Sequence, residues 1–330
     1  MDVNLFNQEF VITDRVADPA QCCQFRAPTA ISIAALRAAK LNFALLANNH
    51  QKDFGNQAAA DTLASLEAAG IPSAGASQDV SQFWQPRIIQ VPGKPLRIAV
   101  LAIMRSESAG PLYSERARSY TEGPPWINAV QEKCLVEPSS VCGKLLRLRL
   151  HAARRTVLKA GGVALSILAI HWGNAQKKGA ALREDCLGPF MPHHLPFFNF
   201  VKEVLSSSAL AIDLFVVSHP HHFQAYQTVA GKPVLNSLGQ FLDDFQTPKD
   251  VGVSLCPLSS RVGMHYELRF DCNPTRHACK MQSLHMRPTF ISNYTVNFAP
   301  PHIMQPALSR HQRTTESIGG VLPERRQDRL

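Results

Sequence analysis

The residues of this chain best suited to chemistry are histidines and asparagines that directly follow short apolar runs. Residues 41–47 are followed by Asn48, Asn49 and His50. Residues 163–170 are followed by His171 and, shortly after, Asn174. Residues 212–217 are followed by a cluster that contains His219 and His221. Continuous apolar runs are typical of buried parallel strands, and α/β sheets bind ligands at the carboxyl ends of their strands. If the three strands are neighbours in one sheet, these polar side chains converge at one edge.

The chemistry that such a cluster predicts is metal-centred hydrolysis. Neutral imidazole is the commonest protein ligand for transition metals, and carboxamide oxygens can complete a site. His219 and His221 would present both rings on one side of an extended chain, and His50 would lie beside the metal as a general acid. Such a site also needs an acidic ligand to neutralise its ions. The alternative is structural, because a histidine after a strand can be a hydrogen-bonded loop residue and Asn48-Asn49 can be a simple turn.

Alternating helices and strands would position these residues. The patterns predict helices over 28–40, 56–70 and 197–205, strands over 41–47, 96–104, 163–170 and 212–217, and a turn with a further strand in 231–241. This alternation is typical of the α/β class.

Two basic segments fall outside the alternation. Residues 107–160 show no clear period, and residues 141–160 carry six lysines and arginines without one acid. We interpret 107–160 as a solvated insertion in a domain that covers 1–270, followed by a basic, partly disordered tail over 271–330. A polyanionic polymer is a candidate partner for these charges. Nucleic acid is not favoured, because aromatic residues are not interleaved with them.

Composition narrows the class of protein further. The chain has a net charge of +9, is 45% hydrophobic and contains no apolar run of membrane-spanning length. Its first residues lack the basic and apolar regions of a signal peptide, so the sequence as written predicts a cytoplasmic protein and leaves its location otherwise open. The eight cysteines have no repeated spacing and predict free thiols. Cys272, His277 and Cys279 match no standard zinc pattern.

Residues 41–76 carry the longest motif: a strand, Ala-Asn-Asn-His, Asp-x-Gly, a helix with Asp-Thr-Leu, and a closing Ala-Gly-Ile-x-x-x-Gly-Ala. Ile-His-Trp-Gly at 170–173 and Ser-His-Pro-His at 218–221 follow in order. These motifs resemble those of the CapA family, the bacterial capsule and poly-γ-glutamate synthesis proteins related to calcineurin-like metallophosphoesterases. The resemblance extends over about residues 3–244, apart from the basic insertion.

The resemblance implies a four-layer α/β/β/α metallophosphoesterase-like sandwich that lacks its first strand and binds Mn, Fe or Zn. Its metal ligands would be Asn49, His171, His219 and His221, with His50 as the catalytic acid/base. Supporting roles would fall to three further residues. These are Asn48, Asp53, which would hold the turn that presents His50, and Asn174.

Several departures from the family pattern predict an incomplete site. The family begins with a strand that ends in Gly-Asp, and no Gly-Asp precedes the first predicted helix here. Matching Asn4-Leu5 to the family's Asn-Leu-Glu puts Phe6 at the position of the Glu, so Phe6 should lie at the rim of the cluster. Glu9, three residues further on, should face the other way. Metal binding would then be weak or absent, through truncation of the amino terminus or through divergence.

Two functions follow from the resemblance. The first is a protein of poly-γ-glutamate or capsule polymer biosynthesis with metal-dependent hydrolase activity at an incomplete site. It would work with the polymer-synthesis machinery and hold the polyanionic polymer near Lys144–Lys159. The alternative is a non-enzymatic accessory or scaffold protein of the same fold that has lost catalysis.

Overall fold

The computed structural model describes residues 3–15, 25–106, 120–121, 123–173, 195–220, 226–237, 262–273, 275, 278–292 and 295–298. These residues belong to two compact units. The first comprises Met1–His171 with Ala209–Ile212, and the second comprises Trp172–Ser208 with Asp213–Leu330. Both units contain helices and strands, which confirms the predicted α/β class.

The first unit contains most of the predicted elements. Its strands are β1 (Leu5–Asn7), β2 (Val11–Ile12), β3 (Arg26–Ala27), β4 (Phe43–Leu45), β5 (Ser73–Ala74), β6 (Ala76–Ser77), β7 (Arg87–Gln90), β8 (Arg97–Arg105), β9 (Trp126–Ile127), β10 (Ala129–Val130) and β11 (Val163–His171). Its helices are α1 (Thr29–Ala38), α2 (Gly55–Ala68), α3 (Glu132–Val136) and α4 (Val141–Ala160), with a 3₁₀ turn at Val80–Gln82.

A small parallel sheet in this unit has the order β1-β4-β5. Helices α1 and α2 place Leu36 and Leu66 in one apolar cluster with Ala44 and Leu46. The pair β2-β3 adds Ile12 to this cluster. The periodic apolar residues that predict the two helices are therefore the ones that pack beside β4.

A larger mixed sheet is built around β8. Strands β10 and β11 run parallel to β8 on its two sides, and β7 pairs antiparallel with its first half. Val100, Ile103 and Leu168 are fully buried. Strands enclosed on both faces read as continuous apolar runs, which is why residues 96–104 and 163–170 were predictable as strands.

Helix α4 gives regular structure to part of the basic segment in which the sequence showed no clear period. Val141–Ala160 is a 20-residue helix that buries Leu146, Leu150, Ala153 and Val157. These residues recur at helical spacing, but the arginines between them mask the period. The helix is not apolar throughout, and no helix among the described residues could span a membrane.

Among its described residues, the second unit contains helix α5 (Leu195–Ser206) and six strands. The strands are β12 (Leu214–Ser218), β13 (Tyr226–Val229), β14 (Lys232–Leu235), β15 (Val262–Asn273), β16 (Ala278–Ser292) and β17 (Thr295–Phe298). Strand β14 lies parallel to β12 and antiparallel to β13, and β15, β16 and β17 form an antiparallel sheet. The segment over 271–330, predicted as a basic and partly disordered tail, thus contains the end of β15, the long strand β16 and the short strand β17. The domain boundaries drawn from sequence stay a prediction.

Disulfide bonds correct the prediction of free thiols for four cysteines. Cys134 is bonded to Cys142, and Cys272 is bonded to Cys279 across the β15-β16 hairpin. The second bond removes both thiolates from any zinc site at this hairpin. Sequence spacing could not reveal these pairs, because each depends on how two neighbouring elements pack.

Gly75 offers a test of the close packing beside β4. Its φ is +99°, and a Cβ built there would lie 2.7 Å from both Cβ and N of Ala47. Gly75→Ala should lower the free energy of unfolding by about 2–4 kcal/mol, because a left-handed backbone penalty adds to a steric clash. Gly93→Ala is the matched control, since Gly93 has a φ of +71° and no atom within 4 Å of the added Cβ. Urea unfolding should show the larger loss for Gly75→Ala, and equal losses would contradict the clash.

Candidate functional site

Asn49 and His171 form the centre of the site. Asn49 Oδ1 lies 2.7 Å from His171 Nε2, and the two residues are 7% and 1% exposed. Asn49 lies in the loop after β4, whereas His171 ends β11. These strands belong to different sheets, so the condition that all three strands are neighbours in one sheet is not met for β4 and β11. An apolar run shows that a strand is buried but does not assign it to a sheet.

This contact has the donor chemistry of a metal site. An amide oxygen only accepts, so His171 Nε2 donates its hydrogen to Asn49 Oδ1. A divalent cation at this point would take the lone pairs of both atoms in place of the shared hydrogen. Oxygen and imidazole nitrogen are suitable ligands for Mn, Fe and Zn.

Glu9 brings a carboxylate to the same point. Its Oε1 lies 3.6 Å from His171 Nε2, and its Oε2 accepts a hydrogen bond of 2.7 Å from Asn7 Nδ2. The expectation that Glu9 faces away is therefore wrong. Strand β1 ends at Asn7, and the two-residue alternation of side chains ends with it.

The sequence contained a signal for Glu9 that the motif match overlooked. The family motif Asn-Leu-Glu can be matched to this chain in two ways. Asn7-Gln8-Glu9 retains the Asn and the Glu of the motif, whereas Asn4-Leu5-Phe6 retains the Asn and the Leu. Phe6 is partly buried and packs against the apolar cluster that contains Ile12 and Leu36. The expectation that it lies at the rim in place of an acid is corrected accordingly.

A buried hydrogen-bond network holds the end of β1 against the loop after β4. Asn48 Nδ2 donates to the carbonyl of Gln8 at 2.8 Å and to Asn7 Oδ1 at 3.2 Å. Gln51 Nε2 also donates to the Gln8 carbonyl. Asn48 Oδ1 in turn accepts from the backbone N–H of His50 at 3.2 Å. The side chain of Asn48 therefore fixes both the segment that leads into Glu9 and the loop that carries Asn49.

His50 is oriented by Asp53. His50 Nδ1 lies 2.8 Å from Asp53 Oδ2, and the two side chains are 9% and 0% exposed. The same carboxylate oxygen accepts from the backbone N–H of Phe25 at 2.8 Å, and the Phe25 ring meets the imidazole edge-on. A carboxylate accepts from a neutral imidazole, so Nδ1 carries the hydrogen and Nε2 keeps its lone pair.

Tyr120 anchors the backbone of the same loop. Its hydroxyl donates to the carbonyl of Asn49 at 2.6 Å, and its side chain is fully buried. Nothing in the sequence singled out Tyr120, because it lies in the segment that was interpreted as an insertion.

The second unit carries His219, one residue beyond β12. His219 is buried and has a φ of 106°, a conformation that is uncommon for a residue other than glycine. In the same unit, Trp172 N–H donates to the carbonyl of Ser218 at 3.0 Å, and a Cβ on Gly173 would lie 2.9 Å from Pro220 Cγ. The residues that follow His171 in the chain thus contact both neighbours of His219. His221 and Asn174 lie outside the described residues.

Comparison with known proteins gives a consistent result. Residues 1–186 match the family model described as bacterial capsule synthesis protein PGA_cap. The chain is also 28% identical over 247 residues to a probable polyglutamine synthesis accessory protein of Mycobacterium tuberculosis, in strains CDC 1551 and H37Rv. The aligned region covers 74% of this chain and 56% of each relative, so the chain spans about half the length of the relatives that it matches.

Asn48 provides a test of the network that supports the site. Asn48→Ala removes the buried hydrogen bonds of this side chain with the Gln8 carbonyl, Asn7 Oδ1 and the backbone N–H of His50, and the free energy of unfolding should fall by about 1–3 kcal/mol. The matched control is Asn4→Ala, which removes an exposed hydrogen bond of 2.8 Å from Asn4 Nδ2 to the carbonyl of Lys40. That control should change stability by no more than about 0.5 kcal/mol. Equal losses of stability for the two variants in urea unfolding would show that the buried network stabilises the fold no more than the exposed hydrogen bond does.

Proposed function

The chain belongs to the family of bacterial capsule synthesis proteins PGA_cap, and from this premise we propose that it is an accessory protein in the biosynthesis of a poly-γ-glutamate-type capsule polymer. The Mycobacterium tuberculosis relatives, named as polyglutamine synthesis accessory proteins, support this role. Its partners in the proposal are the polymer-synthesis machinery and the polyanionic polymer itself.

Within this role we propose a metal-dependent hydrolase centre. Glu9 and His171 are its proposed acidic and imidazole ligands from the first unit, with Asn49, His219 and His221 proposed as further ligands. The contacts of His171 Nε2 with Asn49 at 2.7 Å and with Glu9 at 3.6 Å support the first part of this set. Both distances are compatible with one shared ion, because two atoms that each bind a cation at about 2.0–2.1 Å lie no more than about 4 Å apart.

Glu9 is the observation that carries the proposal. Imidazole and carboxamide ligands are neutral, so a centre built from them alone would leave the charge of a divalent cation uncompensated in a buried site. A carboxylate beside His171 supplies that compensation. Glu9 would supply one of the two acids whose expected loss suggested weak binding, and this supports a working centre over a scaffold without chemistry.

His50 would act as the proton donor. The bound metal would supply Lewis-acid stabilisation of the charge that develops in the transition state. His50 would take up a proton from solvent at Nε2, give that proton to the leaving group and return to its neutral form, while Asp53 holds the ring in one orientation. The hydrogen bond between His50 Nδ1 and Asp53 Oδ2 supports this assignment, because it leaves Nε2 as the nitrogen that exchanges protons.

The four-layer α/β/β/α sandwich is part of the same proposal. In the first unit, α1 and α2 pack beside the β1-β4-β5 sheet and α4 packs on β11. The hydrogen bond between Asn49 and His171 joins two strands of these different sheets at their carboxyl ends. This arrangement agrees with two sheets that face each other and carry helices on their outer sides.

Metal titration tests the centre without reference to activity. Glu9→Gln should weaken Mn²⁺ or Zn²⁺ binding by on the order of 100-fold, because the charge is lost and the shape is kept. Glu67→Gln, an exposed residue of α2, is the matched control and should bind like the parent protein. Isothermal titration calorimetry measures both. Unchanged affinity in Glu9→Gln, or no binding by the parent protein, would contradict the proposed centre.

Hydrolysis of bis-p-nitrophenyl phosphate and of poly-γ-glutamate with added Mn²⁺ tests the chemistry. His50→Ala should lower kcat by about 100-fold to 10,000-fold and leave metal affinity unchanged, because a general acid contributes that factor. His171→Ala should abolish both turnover and metal binding. A protein that binds metal but turns over neither substrate would be the non-enzymatic accessory protein instead.

A further inference from the structure

Helix α4 has an outer face that combines large apolar side chains with basic ones. Opposite its buried stripe lie Val141, Leu145 and Leu148, which are 86%, 47% and 64% exposed, and Leu158 lies beside them at 61%. Six large hydrophobic residues are exposed in the described part of the chain, and four of them belong to this helix. Such a concentration on one element is typical of a binding surface.

The basic residues on this face are available for a ligand. Lys144, Arg155 and Lys159 are exposed and lie at helical spacing on the side of Leu148. Two other arginines of the helix serve the unit itself. Arg147 donates to the carbonyls of Cys134 and Leu135, and the guanidinium of Arg149 lies 4.7 Å from the centre of the Trp84 ring.

The helix presents this face from a fixed position. Ser140 Oγ accepts the backbone N–H of Gly143 at the amino-terminal end. The disulfide between Cys134 and Cys142 ties the same end to α3. Leu150 and its buried neighbours hold the middle of the helix. The outer face is therefore preorganised, and a ligand would not have to order it.

We propose that the outer face of α4 docks on the surface of an anionic lipid bilayer. Leu145 and Leu148 would enter the headgroup region, and Lys144, Arg155 and Lys159 would lie over lipid phosphates. A helix that lies in the interface plane needs both apolar side chains to bury and basic side chains to attract anionic lipids.

The apolar residues distinguish this ligand from a charged polymer. A polyanionic chain would be held through Lys144, Arg155 and Lys159 alone, and Val141, Leu145 and Leu148 would stay in water. A bilayer removes those three apolar side chains from water, a gain in proportion to the area buried. The sequence-based hypothesis that places the polymer at this segment explains the charges but not the exposed leucines.

Co-sedimentation with vesicles tests the proposal on the whole chain. The protein should bind vesicles of phosphatidylglycerol and phosphatidylcholine in equal parts and should not bind vesicles of phosphatidylcholine alone. Replacing Lys144, Arg155 and Lys159 by Gln should lower the partition coefficient about 100-fold, at roughly fivefold per charge. Leu145→Gln with Leu148→Gln should lower it by roughly tenfold or more.

A second helix provides the matched control. Helix α1 exposes Ile31 and Arg37, and Ile31→Gln with Arg37→Gln should leave vesicle binding unchanged. Thermal melting of each variant checks that it is folded. Glu9→Gln should also bind vesicles like the parent protein. Metal titration and vesicle binding therefore test the proposed metal centre and the outer face of α4 independently.

Three results would overturn the proposal. The first is no binding to either kind of vesicle. The second is binding that survives both sets of α4 substitutions. The third is retention of soluble poly-γ-glutamate that needs the three basic residues but not the two leucines, without vesicle binding, which would assign the face to the polymer.

Discussion

The hydrogen bond between Asn49 and His171 is the interaction on which the rest of the site depends. It joins the carboxyl ends of β4 and β11, two strands of different sheets, through side chains that are almost fully buried. Buried polar groups are tolerated only when they are hydrogen-bonded. The surrounding residues meet this requirement, since Tyr120 satisfies the carbonyl of Asn49 and Asn48 satisfies the carbonyl of Gln8. The polar cluster is thus a structural element as well as a candidate metal centre.

The same network positions the negatively charged side chain of the site. Asn48 holds the segment after β1, and this segment brings the carboxylate of Glu9 to His171. The backbone N–H of His50 also donates to Asn48, but its imidazole is oriented by a different contact, with Asp53. The acid that would compensate a cation and the imidazole that would move a proton therefore depend on different contacts. Substitutions at Glu9 and at His50 can separate binding from catalysis for this reason.

Local patterns predicted much of the fold. Helices α1, α2 and α5 and strands β4, β8, β11 and β12 follow from apolar periodicity or from continuous apolar runs. Helix α4 was missed because arginines interrupt its buried stripe, and the pairing of Cys134 with Cys142 was missed because it depends on the packing of α3 against α4. In both cases a few buried residues determine the local structure, and the overall composition of the segment does not reveal them.

The candidate site was predictable by residue type and less so by geometry. Strand ends and motifs identified Asn49, His50 and His171, whose contacts the structure describes. Glu9 was placed on the wrong side because the alternation of a strand was extended past its last residue, Asn7. A local pattern gives the direction of a side chain only inside the regular element.

Anomalous X-ray scattering from crystals soaked in Zn²⁺ locates a bound ion without reference to activity. We expect one peak at about 2.0–2.2 Å from Glu9 Oε1, Asn49 Oδ1 and His171 Nε2 together. A peak elsewhere, or an ion bound at His171 with the carboxylate of Glu9 turned away, would contradict it.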